Sequence, residues 1–252
     1  MNDSRDLFEY LLRLGDDRLV LGHRLSEWCG HGPILEEDIA TANIALDLVG
    51  QGTLFLKLAA QAEGAGRNED ALAFFREPVE YRNLQMVELP KGDFGFTMVR
   101  EFLFDAFSVL LLGALQQGSN SDLAGIAAKA LKEARYHVRH SSQWVIRLGD
   151  GTEESHARVQ DALNELWRFT GEMFMADAVD DRMHAAGIAP DLRGLEAAWR
   201  AAVDDVLRMA TLTIPENAFM MSGGRTGKHT EYLGHMLSEM QIVARSHPGA
   251  EW

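Results

Sequence analysis

Lys132-Glu133-Ala134-Arg135-Tyr136-His137-Val138-Arg139-His140 lies in the middle of a helical stretch of about residues 122–148, and its spacing decides how the chain is read. Helix bundles that hold two irons draw a Glu-x-x-His pair from each of two helices and a lone carboxylate from each of the other two. Here Tyr136 stands three residues after Glu133, and the histidine follows one place later. A second polar stripe, Asn43, Asp47 and Gly50, shows the same defect, with Gly50 three residues after Asp47. Between the two stripes falls Asp105, the only charged side chain of residues 102–115. An ionised carboxylate alone among apolar groups needs a metal, a cation or a proton.

Outward from that stretch, apolar residues recur at three and four, clear period-2 alternation is scarce, and there are only six prolines. That pattern predicts an all-α protein. A first helix is expected over residues 5–28, with Leu7, Leu11, Leu14, Leu21, Leu25 and Trp28 on one stripe that Arg18 interrupts. Cys29-Gly30-His31-Gly32-Pro33 ends it. The next helix opens on Glu36, Glu37 and Asp38, where the helix dipole favours carboxylates, and its stripe runs Ile39, Ala42, Leu46, Val49, Thr53, Leu56, Ala60. A connection over residues 62–93 leads to the most apolar stretch, residues 102–115, predicted as a central helix buried on every side. The Glu133 helix returns antiparallel. Two helical hairpins joined by one long crossover make the order of a ferritin-like four-helix bundle. Further helices are expected at 155–186, 191–210 and 230–246, giving one domain with a core bundle over 5–148 and appended helices over 155–246.

The charge balance, 24 basic against 38 acidic residues and a net −14, argues against nucleic acid or an anionic membrane as partner, since both need clustered Lys and Arg. A single cysteine, Cys29, excludes an internal disulfide and a Cys-based zinc cage, and is expected half-buried at a helix end. The N-terminus lacks the basic-then-apolar layout of a secretory signal. No stretch approaches the roughly 18 uninterrupted apolar residues of a membrane span. A cytoplasmic location is expected.

On the ferritin-like frame, the ligand positions fall on Asp16 or Asp17, Asp47 with Gly50, Asp105, and Glu133 with Tyr136. Both histidines are missing, and Asp in place of Glu shortens the reach to a metal. The preferred reading is a vacated site whose polar residues form a buried network with Arg18, Asn43, Arg135, His23 and His137, holding no metal and no cofactor. The rival is a stand-alone metal-dependent oxidase using Asp47, Asp105, Glu133 and His137, since residues four apart share a helix face. The loop from Ser222 to Glu231 carries glycines with Arg225 and Lys228, which suit a phosphate. The competing and preferred reading of that loop is a helix cap at Thr230.

The segments Leu14-Gly-Asp-Asp17, Arg24-Leu-Ser-Glu-Trp-Cys-Gly-His31, Ala42-Asn-Ile-Ala-Leu-Asp-Leu48 and Lys132-Glu-Ala-Arg-Tyr-His137 resemble the C-subunit family of bacterial phenylacetyl-CoA 1,2-epoxidases. So do Leu166-Trp-Arg-Phe169 and Gly227-Lys-His-Thr-Glu-Tyr-Leu-Gly-His-Met-Leu-Ser-Glu-Met-Gln241. The resemblance spans essentially the whole chain. It implies a ferritin-like fold and a place in a multicomponent oxygenase of phenylacetate catabolism, as the structural, non-catalytic partner of an A subunit that holds the di-iron centre. A separate reductase supplies electrons in that system, and the C subunit on its own is a candidate homodimer. The small residues of the first two helices, Ala42 and Ala45 among them, are the expected interface.

Overall fold

The computed structural model describes residues 3–216 and 218–250, and among these every regular element is helical. Four long helices form the frame: α1 (Asp3–Ser26), α2 (Leu35–Glu63), α5 (Phe94–Leu115) and α6 (Ser121–Gly149). The crossover between the two hairpins contains α3 (Glu69–Phe74), a 3-10 turn at Pro78–Glu80 and α4 (Gln85–Glu88). Side-chain caps fix where its neighbours start: Asn68 accepts from Ala71 N, Asp93 from Phe96 N and Asn120 from Leu123 N.

Of the stretch 102–115 expected to be buried on every side, residues 109, 110, 113 and 114 are only half-buried, whereas residues 97–108 of α5 are all buried. The same holds for residues 10–22 of α1, which the sequence pattern did not suggest. The C-terminal third of the chain produces that burial. α7 (Glu153–Leu166) and α9 (Glu196–Met209) pack on α5 and α6, whereas α8 (Ala178–Ala185) closes on α1 and α10 (Glu231–Ser246) on α3. Arg13 of α1 is tied to α8 through Asp177 and Asp180, both at 2.6 Å.

The helix expected over 155–186 is instead broken at Leu166 into α7, tight turns at Trp167–Phe169 and Gly171–Phe174, and α8. Thr170 sits at the break, its hydroxyl donating back to the Trp167 carbonyl at 2.8 Å, and Asp177 caps the restart through Val179 N. Cys29 is exposed rather than half-buried.

The stripe on α2 also needs correcting. Its buried face is Thr41, Ile44, Ala45, Leu48, Gln51, Gly52, Phe55, Leu56, Ala59 and Ala60, whereas Ile39 and Leu46 are 53% and 69% exposed. α2 is apolar on nearly every side, so periodicity alone could not say which side faced in. By length and composition it could cross a membrane: an 18-residue window has mean hydropathy 1.3, with 44% of it buried here. In the fold it lies close along α1. A Cβ on Gly22 would come within 3.1 Å of the Ala45 carbonyl, and one on Gly52 within 3.2 Å of the Gly15 carbonyl. The small residues therefore serve the α1–α2 contact inside the chain.

Candidate functional site

One polar chain crosses the middle of the bundle and touches all four long helices. Arg18 of α1 is 1% exposed, with its guanidinium 4.9 Å over the Phe55 ring. Its Nε donates to Gln51 Oε1 of α2 at 3.0 Å, and one terminal nitrogen reaches Ser108 Oγ of α5 at 3.5 Å. Gln51 Nε2 then donates to Glu133 Oε2 of α6 at 2.8 Å. Desolvation pushes Arg18 down to about 10, still protonated at neutral pH. A cation thus stands among the helices that would converge on a metal, and a neutral amide carries its field to the carboxylate.

The other expected ligand positions are dispersed around this chain. Asp47 accepts from His137 Nε2 at 3.1 Å, and burial lowers the His137 pKa, so the imidazole is neutral near pH 7. Tyr136 is 44% exposed and stacks against His140 with ring centroids 6.3 Å apart. Gly50 offers no side chain. Asp16 and Asp17 face away from the centre: Asp16 pairs with Arg76 and accepts Arg82 N, while Asp17 accepts Leu84 N at 2.8 Å and holds Arg225. No three His, Cys, Asp or Glu side chains among the described residues converge as metal ligands do. A di-iron centre does not fit this donor set.

Asp105 finds a proton rather than a cation. Ser141 Oγ lies 2.8 Å from its Oδ2 and 3.0 Å from the His137 carbonyl. Burial raises Asp105 to about 8, partly opposed by the hydrogen bond that the Ser141 hydroxyl donates to it. One turn earlier on the same face is Glu101, fully buried, neither carboxyl oxygen having a partner in the chain. Burial, with Asp105 adding to it, lifts Glu101 well above the carboxylate range. Burial thus favours the neutral form of both acids.

Three of the residues expected in the network lie outside it. Asn43 and Arg135 are both exposed, on turns of α2 and α6 that face away from the core. His23 is turned back onto the Leu19 carbonyl at 2.8 Å. Gln51 and Ser108 take part without having been singled out, and Glu101 lies buried near Asp105 with no partner among the described residues. Gln51 follows Gly50 directly, and Glu101 precedes Asp105 by one helical turn, so both were within reach of a helical-face count.

The glycine loop is an anion nest that the chain fills itself. Gly223 N and Gly224 N donate to Glu172 Oε1 at 2.8 and 2.7 Å, and Glu172 Oε2 takes Gln85 N at 2.9 Å. Arg225 forks onto Asp17 at 2.9 and 2.8 Å and donates to the Arg82 carbonyl at 2.7 Å. Its donors are therefore committed internally, which corrects the expectation that it meets a phosphate. Lys228 is exposed, and its carbonyl accepts from Gln85 Nε2 at 2.8 Å. Thr230 occupies the N-cap position of α10 without a side-chain capping bond, and its backbone N–H goes to Glu88.

Asp47, Gly50, Gln51 and Glu133 line a cavity of about 130 Å³ between α2 and α6, with Leu46, Leu54 and Ile126 as its apolar walls. A shallower groove of about 570 Å³ continues from Leu54 and Ile126 toward Asp122.

Comparison with known proteins shows the family. The model of a family described as phenylacetic acid catabolic protein matches residues 1–252. The chain is 50% identical over 246 residues to the C subunit of the 1,2-phenylacetyl-CoA epoxidase of Escherichia coli (strain K12), covering 98% of this chain and 99% of that relative.

Proposed function

The chain belongs to the phenylacetic acid catabolic protein family, and from that membership we propose that it is the structural, non-catalytic C subunit of a phenylacetyl-CoA 1,2-epoxidase acting in the cytoplasm. Its companion is the catalytic A subunit, which carries the di-iron centre, while a reductase component delivers electrons. This subunit then holds no metal and no cofactor of its own. The observation that supports the reading most directly is the Ser108–Arg18–Gln51–Glu133 chain, in which a guanidinium stands where a catalytic bundle needs cation ligands.

Association is then the work of this subunit, and burial within the chain supports a choice of face. α1 is encased by α2, α8 and the crossover, and Ala45 is buried against α1, so neither belongs to an outer interface. The outer face of α2 remains, with Leu35, Ile39 and Leu46 exposed, continued by Tyr136 of α6. Exposed apolar residues in a continuous row mark an interaction face. Docking of the A subunit on this face is the form the interface takes here.

The experiment is reconstitution. With the A subunit and reductase supplied, epoxidation of phenylacetyl-CoA is expected to require this chain. It is also expected to survive Asp105→Asn, which removes a former ligand position from the core. Loss of turnover in an Asp105→Asn complex that still assembles would contradict a non-catalytic role.

A further inference from the structure

The cavity between α2 and α6 carries charge that the chain does not use up. Asp47, 39% exposed, gives Oδ2 to His137, and Glu133 gives Oε2 to Gln51, which leaves each carboxylate with an oxygen toward the space. His137 is neutral because burial lowers its pKa, and Arg18 reaches Glu133 only through Gln51. Two helices thus each present an anion across about 130 Å³, against a liquid share of about 30 Å³ per water molecule. That is room for the end of one long side chain. Lys129, four residues before Glu133, also lines the cavity, but it is exposed and forms no ion pair with either carboxylate.

Gly50 marks the opening. A Cβ there would meet nothing within 4 Å, whereas at Gly15, Gly22 and Gly52 the neighbouring helix lies within about 3.2 Å. Its backbone is ordinary helix, since it is absent from the positive-φ glycines. Glycine inside a helix is unfavourable relative to alanine, and neither backbone conformation nor packing within the chain asks for it here. Gly113, Gly125 and Gly234 are equally open, and Gly50 differs from them in lining this cavity.

We propose that this cavity is a socket for one Lys or Arg side chain of the companion subunit, carried on a helix that lies along the α2/α6 groove. The partner's cation would sit between Asp47 and Glu133, its aliphatic stem against Leu46, Leu54 and Ile126. This rests on the reading of the outer α2 face as the docking surface. Charge-assisted hydrogen bonds to two carboxylates in a confined space give register as well as affinity.

The test measures binding of the purified A subunit to four forms of this chain: parent, Gly50→Leu, Asp47→Asn with Glu133→Gln, and Ile39→Glu. Each form's thermal melt is recorded alone. A Cβ at Gly50 meets nothing within 4 Å, so Gly50→Leu is expected to narrow the socket, to melt no lower than the parent, and to bind at least about thirtyfold more weakly, the scale of a lost hot spot. The neutralised pair is expected to bind about tenfold more weakly with a flatter salt dependence. If Ile39→Glu abolishes binding while Gly50→Leu binds like the parent, the socket is wrong and the docking face stands. If Ile39→Glu binds like the parent, the docking face itself is wrong. Self-association of the purified chain that Gly50→Leu abolishes would make the occupant a second copy and overturn the assignment to the A subunit.

Discussion

Gln51 Nε2 donates to Glu133 Oε2 at 2.8 Å while Gln51 Oε1 accepts from Arg18 Nε at 3.0 Å, so one amide couples a buried cation to a carboxylate across the bundle. The amide is oriented by both neighbours, since a flipped Gln51 would set its NH₂ against the guanidinium. Truncating it should therefore harm the fold more than an average polar substitution. Gln51→Ala leaves the Arg18 Nε–H without its acceptor in a dry site and is expected to cost roughly 2–3 kcal/mol in urea denaturation. Replacing both polar partners, as Arg18→Met with Gln51→Leu, should recover much of that loss, because well-packed apolar groups often match a buried polar pair in stability.

Glu101 and Asp105 set a pH dependence. The ordinary carboxyl pKa values of about 4 apply in the unfolded chain, whereas burial raises Asp105 to about 8 and Glu101 well above its usual range in the fold. The native state therefore binds more protons than the unfolded state above about pH 4. Stability from this pair is greatest in acid and declines as pH rises toward and through 8, at up to about 1.4 kcal/mol per pH unit for each group. Urea midpoints measured between pH 6 and 9 should fall for the parent and fall less steeply for Glu101→Gln and Asp105→Asn. Parallel slopes in all three would contradict protonated acids in the core.

Arg225 is a strut rather than a ligand-binding cation. Its two-pronged contact with Asp17, at 2.9 and 2.8 Å, pins the loop before α10 onto α1. A lysine cannot reproduce that fork. Arg225→Lys is expected to destabilise by about 3 kcal/mol, approaching the cost of breaking a buried pair, and to speed proteolysis within residues 222–230. The same variant assayed with phenylacetyl-CoA in the assembled complex should show an unchanged KM once enough folded protein is present.

Restoring the two missing histidines is not expected to restore a metal site. In a Gly50→His, Tyr136→His variant, Arg18 still holds the centre and Asp105 remains bonded to Ser141. Iron per chain should stay well below one after expression in iron-rich medium. Adding Arg18→Met is the change that would begin to admit a cation.

Much of the fold was legible because hydrophobic period and helix stops are local signals. The α5 sequence between residues 102 and 115 could only be a buried helix, and the two-hairpin order followed from the length of the crossover. Two things were not legible. α2 is apolar nearly all round, so its inner face, Ile44, Leu48 and Phe55, could not be told from its outer one, Ile39 and Leu46, until α1 was in place. The break at Leu166 depends on Thr170 and on packing against α9, which no window of sequence contains. In the candidate site, the lack of histidine at Gly50 and Tyr136 was readable from spacing alone. That Arg18 and Gln51 occupy the space instead is a tertiary fact: the two come from different helices, and neither carries a motif.

Iron analysis of the purified chain, expressed in iron-replete medium and compared with Glu133→Ala and Asp105→Ala forms, bears most directly on whether this bundle is a structural partner. The expected result is iron far below one per chain in all three, unchanged by the substitutions. One or more irons per parent chain, lost in both variants, would show that the bundle holds a metal centre of its own and would contradict its assignment as the non-catalytic subunit.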